Sequence, residues 1–238
     1  MEVSGDELVK IVQSKEFRYR LAKAARITMR TGHESGFAVY REPQSINHYW
    51  TPVFEGDTVS IEGEVYKAWE RREFSQYPDH DAFDLLKLHF HTAEDGNILP
   101  SDHDLLLLDS YSFNYATRPI IGVAGVRLNE GHILLLQKIF TGSVRQTWCS
   151  IAGELADRLP HLEMEQDPHE LSKQLSLPGY IHAACLPFRL VPGPIRATLD
   201  SPFLMNRFAY SLAKRACSAD SENLEDVLQG IDEIIQYG

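Results

Sequence analysis

KLHFHTAEDGNILPSDHDLLLL, residues 87–108, is the stretch on which the fold and the chemistry of this chain turn. From Leu86 onward, Leu86, Leu88 and Phe90 alternate with Lys87, His89 and His91. That period of two is the mark of a strand with one buried face. His89 and His91 then project from the same face, about 7 Å apart along the strand. A polar loop follows, and Ser101 with Asp104 fits S-x-x-D. In that pattern the serine caps a new helix and the acid returns to its amide. Two imidazoles at a strand end and a carboxylate in the next helix's first turn can meet on one ion. Zinc accepts His nitrogen and carboxylate oxygen in a tetrahedron, and three protein ligands leave the fourth position to water, as in catalytic rather than structural sites. The ordinary alternative is two solvated histidines on a half-exposed strand beside a capping aspartate.

Upstream, SGDELVKIVQSKEFRYRLAKAARITMRTG carries Leu8, Ile11, Val12, Leu21, Ala24, Ala25 and Met29 at helical spacing. Ser4 with Glu7 forms a capping box, Ser14 marks a short break and Gly32 a stop. ESGFAVY reads as a strand, YWTPVFEGDTVSIEG as strand and hairpin material with turns at Glu55–Asp57 and Glu62–Gly63, and EVYKAWERREFSQY as a helix. Downstream, RPIIGVAGVRLNEGHILLLQKIF reads as two strands joined at Asn129–Gly131. Beyond residue 141 the character changes. SVRQTWCSIAGELADRL and the last two segments read as helices, and LPFRLVPGPIRATLDSP as a proline-rich connector. The expected organisation is an α/β domain over 1–141 with a mainly helical extension over 142–238.

The composition narrows the function classes. The chain has 238 residues, of which 43% are hydrophobic and 24% charged. That is the make-up of a soluble globular protein. No apolar run approaches the ~20 residues of a membrane span. The acidic MEVSGDELVK start is unlike a signal peptide, which gives the expectation of a cytoplasmic protein. A net charge of −11 argues against a nucleic-acid binder, which needs a basic surface, and favours basic partners. Cys149, Cys185 and Cys217 are odd in number and widely spaced. Neither a disulfide framework nor a thiolate metal site is therefore expected, and a metal must use His and carboxylate ligands.

A metal-activated water also needs a proton acceptor that is not itself a ligand. Glu34, opening the ESGFAVY strand, is the candidate, against the simpler reading of an exposed strand-end carboxylate.

Glu34 ahead of Gly36 in a strand after a first amphipathic helix, then His89-Phe90-His91, a loop, and Ser101-Asp102-His103-Asp104, together resemble the motif of the JAMM (MPN+) zinc metalloproteases. The similarity covers roughly residues 5 to 140. Thr92 stands where relatives usually carry proline, Phe90 where a small polar residue is common, and the loop before Ser101 is about two residues longer; these mark a divergent branch. The resemblance implies an MPN-like (cytidine-deaminase-like) mixed sheet flanked by helices. It implies zinc on His89, His91 and Asp104, Glu34 as the base, and Ser101 as a hydrogen-bond donor to the oxyanion. The implied reaction is amide hydrolysis through Glu-activated water on zinc, with a peptide or a ubiquitin-like protein as substrate. The extension offers a surface for homo- or hetero-oligomers. Two other readings stay open: a non-catalytic scaffold on the same fold, and a different H-x-H metal chemistry of cupin or amidohydrolase type. The long first helix and helical tail speak against a cupin.

Overall fold

A computed structural model describes residues 5–41, 48–57, 63–73, 84–92, 96, 98–101, 104, 120–138, 168, 171, 175, 181–193 and 195–199. Helix α1 spans Gly5–Gln13 and α2 Lys15–Thr31. The break between them is Ser14, in extended backbone, whose hydroxyl accepts the Phe17 N–H at 3.0 Å. That bond caps α2. Helix α2 stops at Gly32, left-handed at φ 68°, whose N–H bonds the Thr28 carbonyl at 2.9 Å. A left-handed glycine is a common way for a helix to end. Both punctuation marks were legible in the sequence. The Ser4–Glu7 capping box lies outside the described residues with Ser4; the Glu7 carboxylate also accepts from Arg41 and meets His48.

The strands are β1 (Ser35–Arg41), β2 (His48–Trp50), β3 (Phe54–Glu55), β4 (Asp84–Phe90), β5 (Ile120–Arg127), β6 (Glu130–Lys138), β7 (Ile181–Leu190) and β8 (Ala197–Leu199), with helix α3 at Gly63–Glu73 before β4. They form one mixed sheet in the order β2-β1-β4-β5-β6-β7-β8, with β3 also paired to β1. Only β4 and β5 run parallel; the other pairs are antiparallel. The protein is therefore mixed α/β. A parallel pair needs a crossover of a dozen or more residues. Here it begins at His91, just past the carboxyl end of β4, where α/β sheets tend to bind ligands.

Helices α1 and α2 cover one face of the sheet. Phe17, Leu21, Phe37, Val39, Leu86, Leu88 and Phe90 form the core there, each at most 1% exposed. The alternation expected along β4 holds: Leu86, Leu88 and Phe90 enter this core while His89 stays half-buried on the other face. Phe90 packs edge-on against Phe188, centroids 6.0 Å apart. A large aromatic between the two histidines thus serves the opposite side of the sheet and does not crowd the imidazoles. On the histidine face, Tyr40 stacks on Trp69 of α3 over Ala38.

Two expectations are corrected here. The stretch 186–202, read as a connector, is sheet in two parts: residues 186–190 belong to β7 and Ala197–Leu199 form β8. Strand β7 pairs with β6 along its whole length, from Glu130↔Arg189 to Lys138↔Ile181, and β8 pairs with the end of β7. The sheet thus crosses the expected boundary at residue 141, and the "mainly helical" description fails for this part of 142–238. Pro187, which suggested a break, sits one residue outside the stretch of β7 that β8 covers. That is an edge position, at which strands accept proline. Leu171 and Leu175 are helical and buried; the remaining helices expected after residue 141 lie outside the described residues.

The β5–β6 turn falls at Leu128–Asn129, not Asn129–Gly131, because Arg127 pairs with Glu130 and Val126 with Gly131. Gly131 is a packing requirement and not a turn residue: a Cβ there would lie 2.4 Å from the Gly125 carbonyl oxygen and 2.5 Å from the Phe188 ring. Gly131→Ala is expected to destabilise the protein by about 1–3 kcal/mol, the range for overpacking a dense core. Urea unfolding would show this as a lower midpoint with an unchanged slope.

Candidate metal centre

His89, His91 and Asp104 converge. Their nearest ligand atoms all lie within 4.8 Å of one another. His89 Nε2 is 3.1 Å from His91 Nε2 and 3.2 Å from Asp104 Oδ1, and His91 Nε2 is 3.5 Å from Asp104 Oδ2. Nitrogen and oxygen ligands on one tetrahedral zinc stand about 3.3 Å apart, given metal–ligand distances near ~2.05 Å. The observed separations bracket that value.

Proton accounting points the same way. The His–His contact needs one ring nitrogen to donate and the other to accept. Each His–Asp contact needs the nitrogen to donate. The three demands conflict, because whichever Nε2 gives up its hydrogen then faces a carboxylate lone pair to lone pair. A cation among the three atoms satisfies every one of them as a ligand, so the residues present fit a metal ion.

The local sequence explains the convergence. The β4 pleat sets both imidazoles on one face, and the His91 N–H bonds Ala124 O of β5 at 3.0 Å, which fixes the chain as it leaves the sheet. The loop returns over β5, with Gly96 (φ 77°) against Val126 and Arg127 and with Ile98 buried. At its end the expected capping box forms. Asp104 N–H reaches Ser101 Oγ at 3.3 Å, and Asp104 Oδ2 accepts the Ser101 N–H at 2.7 Å and its hydroxyl at 2.8 Å. Asp104, 3% exposed, is thereby aimed at the histidines. The cap is what aims this carboxylate at the two imidazoles, so capping and metal-fitting geometry are compatible in one residue. Burial works against the charged form of Asp104, but hydrogen bonds and charges from His89 and His91 outweigh it and hold its carboxyl well below the usual range. Ser101 is exposed and, as placed, gives its hydroxyl proton to Asp104.

Glu34 corrects the simpler reading of an exposed carboxylate: it is 9% exposed. The β1–β4 register sets Ser35 opposite Phe90 and Gly36 opposite His89, which brings Glu34 level with His91. Its backbone is clamped on both sides, with its N–H on Asp57 O at 2.7 Å and its carbonyl accepting the Gly56 N–H at 2.8 Å. Ser35 anchors the strand start to α2 through Ala24 O at 2.7 Å and Thr28 Oγ1 at 2.8 Å. Desolvation, first of all, pushes the Glu34 pKa up to about 7; the charges of Asp104 and Asp57 add to this, and His91 opposes it. Glu34 is thus poised near neutrality, as a general base should be.

Asp57 is the residue the sequence reading missed. The Glu55–Asp57 turn was legible, but nothing local signals that it closes on Glu34. His33, adjacent in sequence, points elsewhere and meets Glu55 at 3.2 Å.

The Glu34 shift has a consequence for metal-free protein. The native state holds this proton more tightly than the unfolded chain, whose glutamate titrates near 4.5. Unfolding therefore releases a proton between pH 4.5 and about 7, and stability is lost as pH rises through that window. Melting temperatures of metal-free protein are expected to fall over this range, and Glu34→Gln to flatten the profile. Asp104 acts in the opposite sense: its contribution is full above the ordinary aspartate range and fades only at more acidic pH.

No helix among the described residues is long and apolar enough to cross a membrane. Set against protein-family models, curated proteins and solved structures, the chain matches none.

Proposed function

We propose that the protein is a zinc-dependent metallopeptidase or isopeptidase of the JAMM type, built on an MPN-like domain, that hydrolyses an amide bond in a peptide or a ubiquitin-like conjugate. The observation that carries this reading is the triangle of His89, His91 and Asp104 with a buried, non-ligating Glu34 beside it. The order of elements supports it: a long amphipathic helix, a strand opened by the base, a strand ended by H-x-H, and a capped helix start.

His89 and His91 supply neutral nitrogen donors, and Asp104 a charged oxygen. Zinc bound there supplies Lewis acidity, bringing the pKa of water toward ~7. Glu34 takes the proton from the attacking water and later delivers it to the leaving amine. Its turn clamp and burial keep it close to the ligands and partly dehydrated. Ser101 swings its hydroxyl from Asp104 to the developing oxyanion, a contribution of about 3 kcal/mol for a donor of this kind. The Ser101 N–H remains on Asp104, so the ligand keeps its orientation during that exchange.

The test pairs metal analysis with cleavage of a ubiquitin-like modifier fused to a peptide. Expected are about one zinc per chain, cleavage at the fusion joint, loss of cleavage on chelation and recovery with added zinc. Zinc-loaded protein without hydrolysis of any amide substrate would overturn the enzymatic part. A folded protein that takes up no zinc but forms a stable complex would point to the scaffold reading.

A further inference from the structure

The large apolar side chains left exposed among the described residues are Tyr19, Met29, Tyr49, Leu128 and Ile195. Met29, Leu128 and Ile195 belong to one end of the sheet. Strand β5 runs toward Leu128, β6 leaves just after it, β7 ends at Leu190, and Ile195 lies in the turn between β7 and β8. Because β4 and β5 are parallel, the histidine pair stands at this same end. Helix α2 finishes there as well, since it leads into Ser35, which pairs with Phe90. Hydrogen bonds stitch the three segments side by side. The Leu190 N–H meets the Asn129 carbonyl at 2.7 Å, and Arg26 meets the Val191 carbonyl at 2.9 Å, one helical turn before Met29.

Leu128 is 78% exposed and holds φ 60°. A left-handed backbone is costly for leucine, and such a turn ordinarily takes Gly, Asn or Asp. No core receives the side chain in return. Strained residues concentrate where a chain meets its ligands. Ile195 is 43% and Met29 47% exposed. The charges at this end oppose the molecule's net charge of −11. Arg30, Arg127 and Arg196 are exposed, and among the described residues their guanidinium groups have no hydrogen-bond or ion-pair partner. Glu130, the acid beside the β5–β6 turn, is held by Arg189 at 2.7 Å.

We propose that this end of the sheet docks on an anionic lipid surface, with Leu128, Ile195 and Met29 entering the interface and Arg30, Arg127 and Arg196 meeting the headgroup anions. Interfacial binding grows with the apolar area buried and with attraction to anionic lipid, and this end supplies both. Charges are felt only over ~8–10 Å in physiological salt, so acids elsewhere on the molecule oppose the contact weakly. A bilayer also suits the shape. The apolar residues sit on two turns and a helix end, and a projecting side chain enters a fluid interface without a matching hollow. A soluble polyanion such as a nucleic acid would engage the arginines and leave the apolar residues in water. The inference is independent of the proposed amide hydrolysis.

The test is co-sedimentation of full-length protein with phosphatidylcholine–phosphatidylserine vesicles. Wild type should sediment with them, should stay in solution with phosphatidylcholine alone, and should be released by high salt. Arg30→Gln/Arg127→Gln/Arg196→Gln should weaken partitioning about a hundredfold, from roughly fivefold per cation. Leu128→Asn should weaken it about tenfold, the lower range for burying a leucine. The same variant should melt at a higher temperature, because asparagine accepts the left-handed backbone; its loss of binding then has no origin in unfolding. The triple variant alters only exposed side chains, and an unchanged circular dichroism spectrum checks its fold. Wild-type protein that stays in the supernatant, or vesicle binding indifferent to either variant, would overturn the proposal. Salt-sensitive retention on heparin that survives Leu128→Asn, with no vesicle binding, would overturn it too and assign the arginines to a soluble polyanion.

Discussion

Glu34→Gln is expected to lower amide hydrolysis by about 10²–10⁴-fold, the usual worth of a general base, while zinc uptake stays at the wild-type level. Glutamine keeps the size of the side chain and the clamped backbone but cannot accept the proton. Among the described residues the metal-fitting group is His89, His91 and Asp104, so the change leaves it intact. The neutral amide also removes a charge that burial and the carboxylates of Asp104 and Asp57 oppose, and metal-free protein should be no less stable at high pH than wild type. Because the proton moves only as the bond is attacked, kcat and kcat/KM should fall together with little change in KM. A variant that still hydrolyses its substrate at the parental rate would remove Glu34 from the mechanism, and the search for a base would have to begin again.

Asp104→Ala should be the most damaging change to the metal site. It removes the carboxylate of the triangle and leaves His89 Nε2 and His91 Nε2, 3.1 Å apart, to satisfy each other in one N–H···N hydrogen bond that a metal would have to break. Zinc affinity should drop by more than ~100-fold, beyond the ~10–100-fold typical of residues that only orient ligands. The capping box goes as well, which costs about 1 kcal/mol in metal-free protein. Ser101→Ala separates the two effects. It loses the hydroxyl that accepts the Asp104 N–H but keeps the carboxylate and its bond from the Ser101 N–H. That variant should show the stability cost with only a modest change in zinc affinity, and a reduced hydrolytic rate. Equal zinc loss in both would mean that the capping geometry, not the charge of Asp104, dominates binding.

What the sequence made legible were the features that depend on near neighbours. The alternation around His89 and His91, the Ser14 cap, the Gly32 stop and the Ser101–Asp104 box are all local, and each has a short-range physical signature. The features that were not legible depend on distant contacts. Strand β7 is sheet because β6 offers it a complete edge, which Pro187 concealed. Gly131 looked like a turn residue because turns and tight packing both call for glycine, and only the approach of Phe188 tells them apart. The burial of Glu34 follows from a turn more than twenty residues downstream that closes over it, and its raised pKa follows from that burial. The position of the metal motif at the start of the β4–β5 crossover was likewise hidden until the strands were seen to run parallel.

Calorimetric titration of zinc into metal-free wild type, Glu34→Gln, His89→Ala and His91→Ala bears most directly on the shared site. The expected result is about one tight site per chain in the first two and loss of that site in the two histidine variants, each still folded. A wild-type protein that takes up no zinc, or histidine variants that bind it as tightly as the parent, would contradict the shared site.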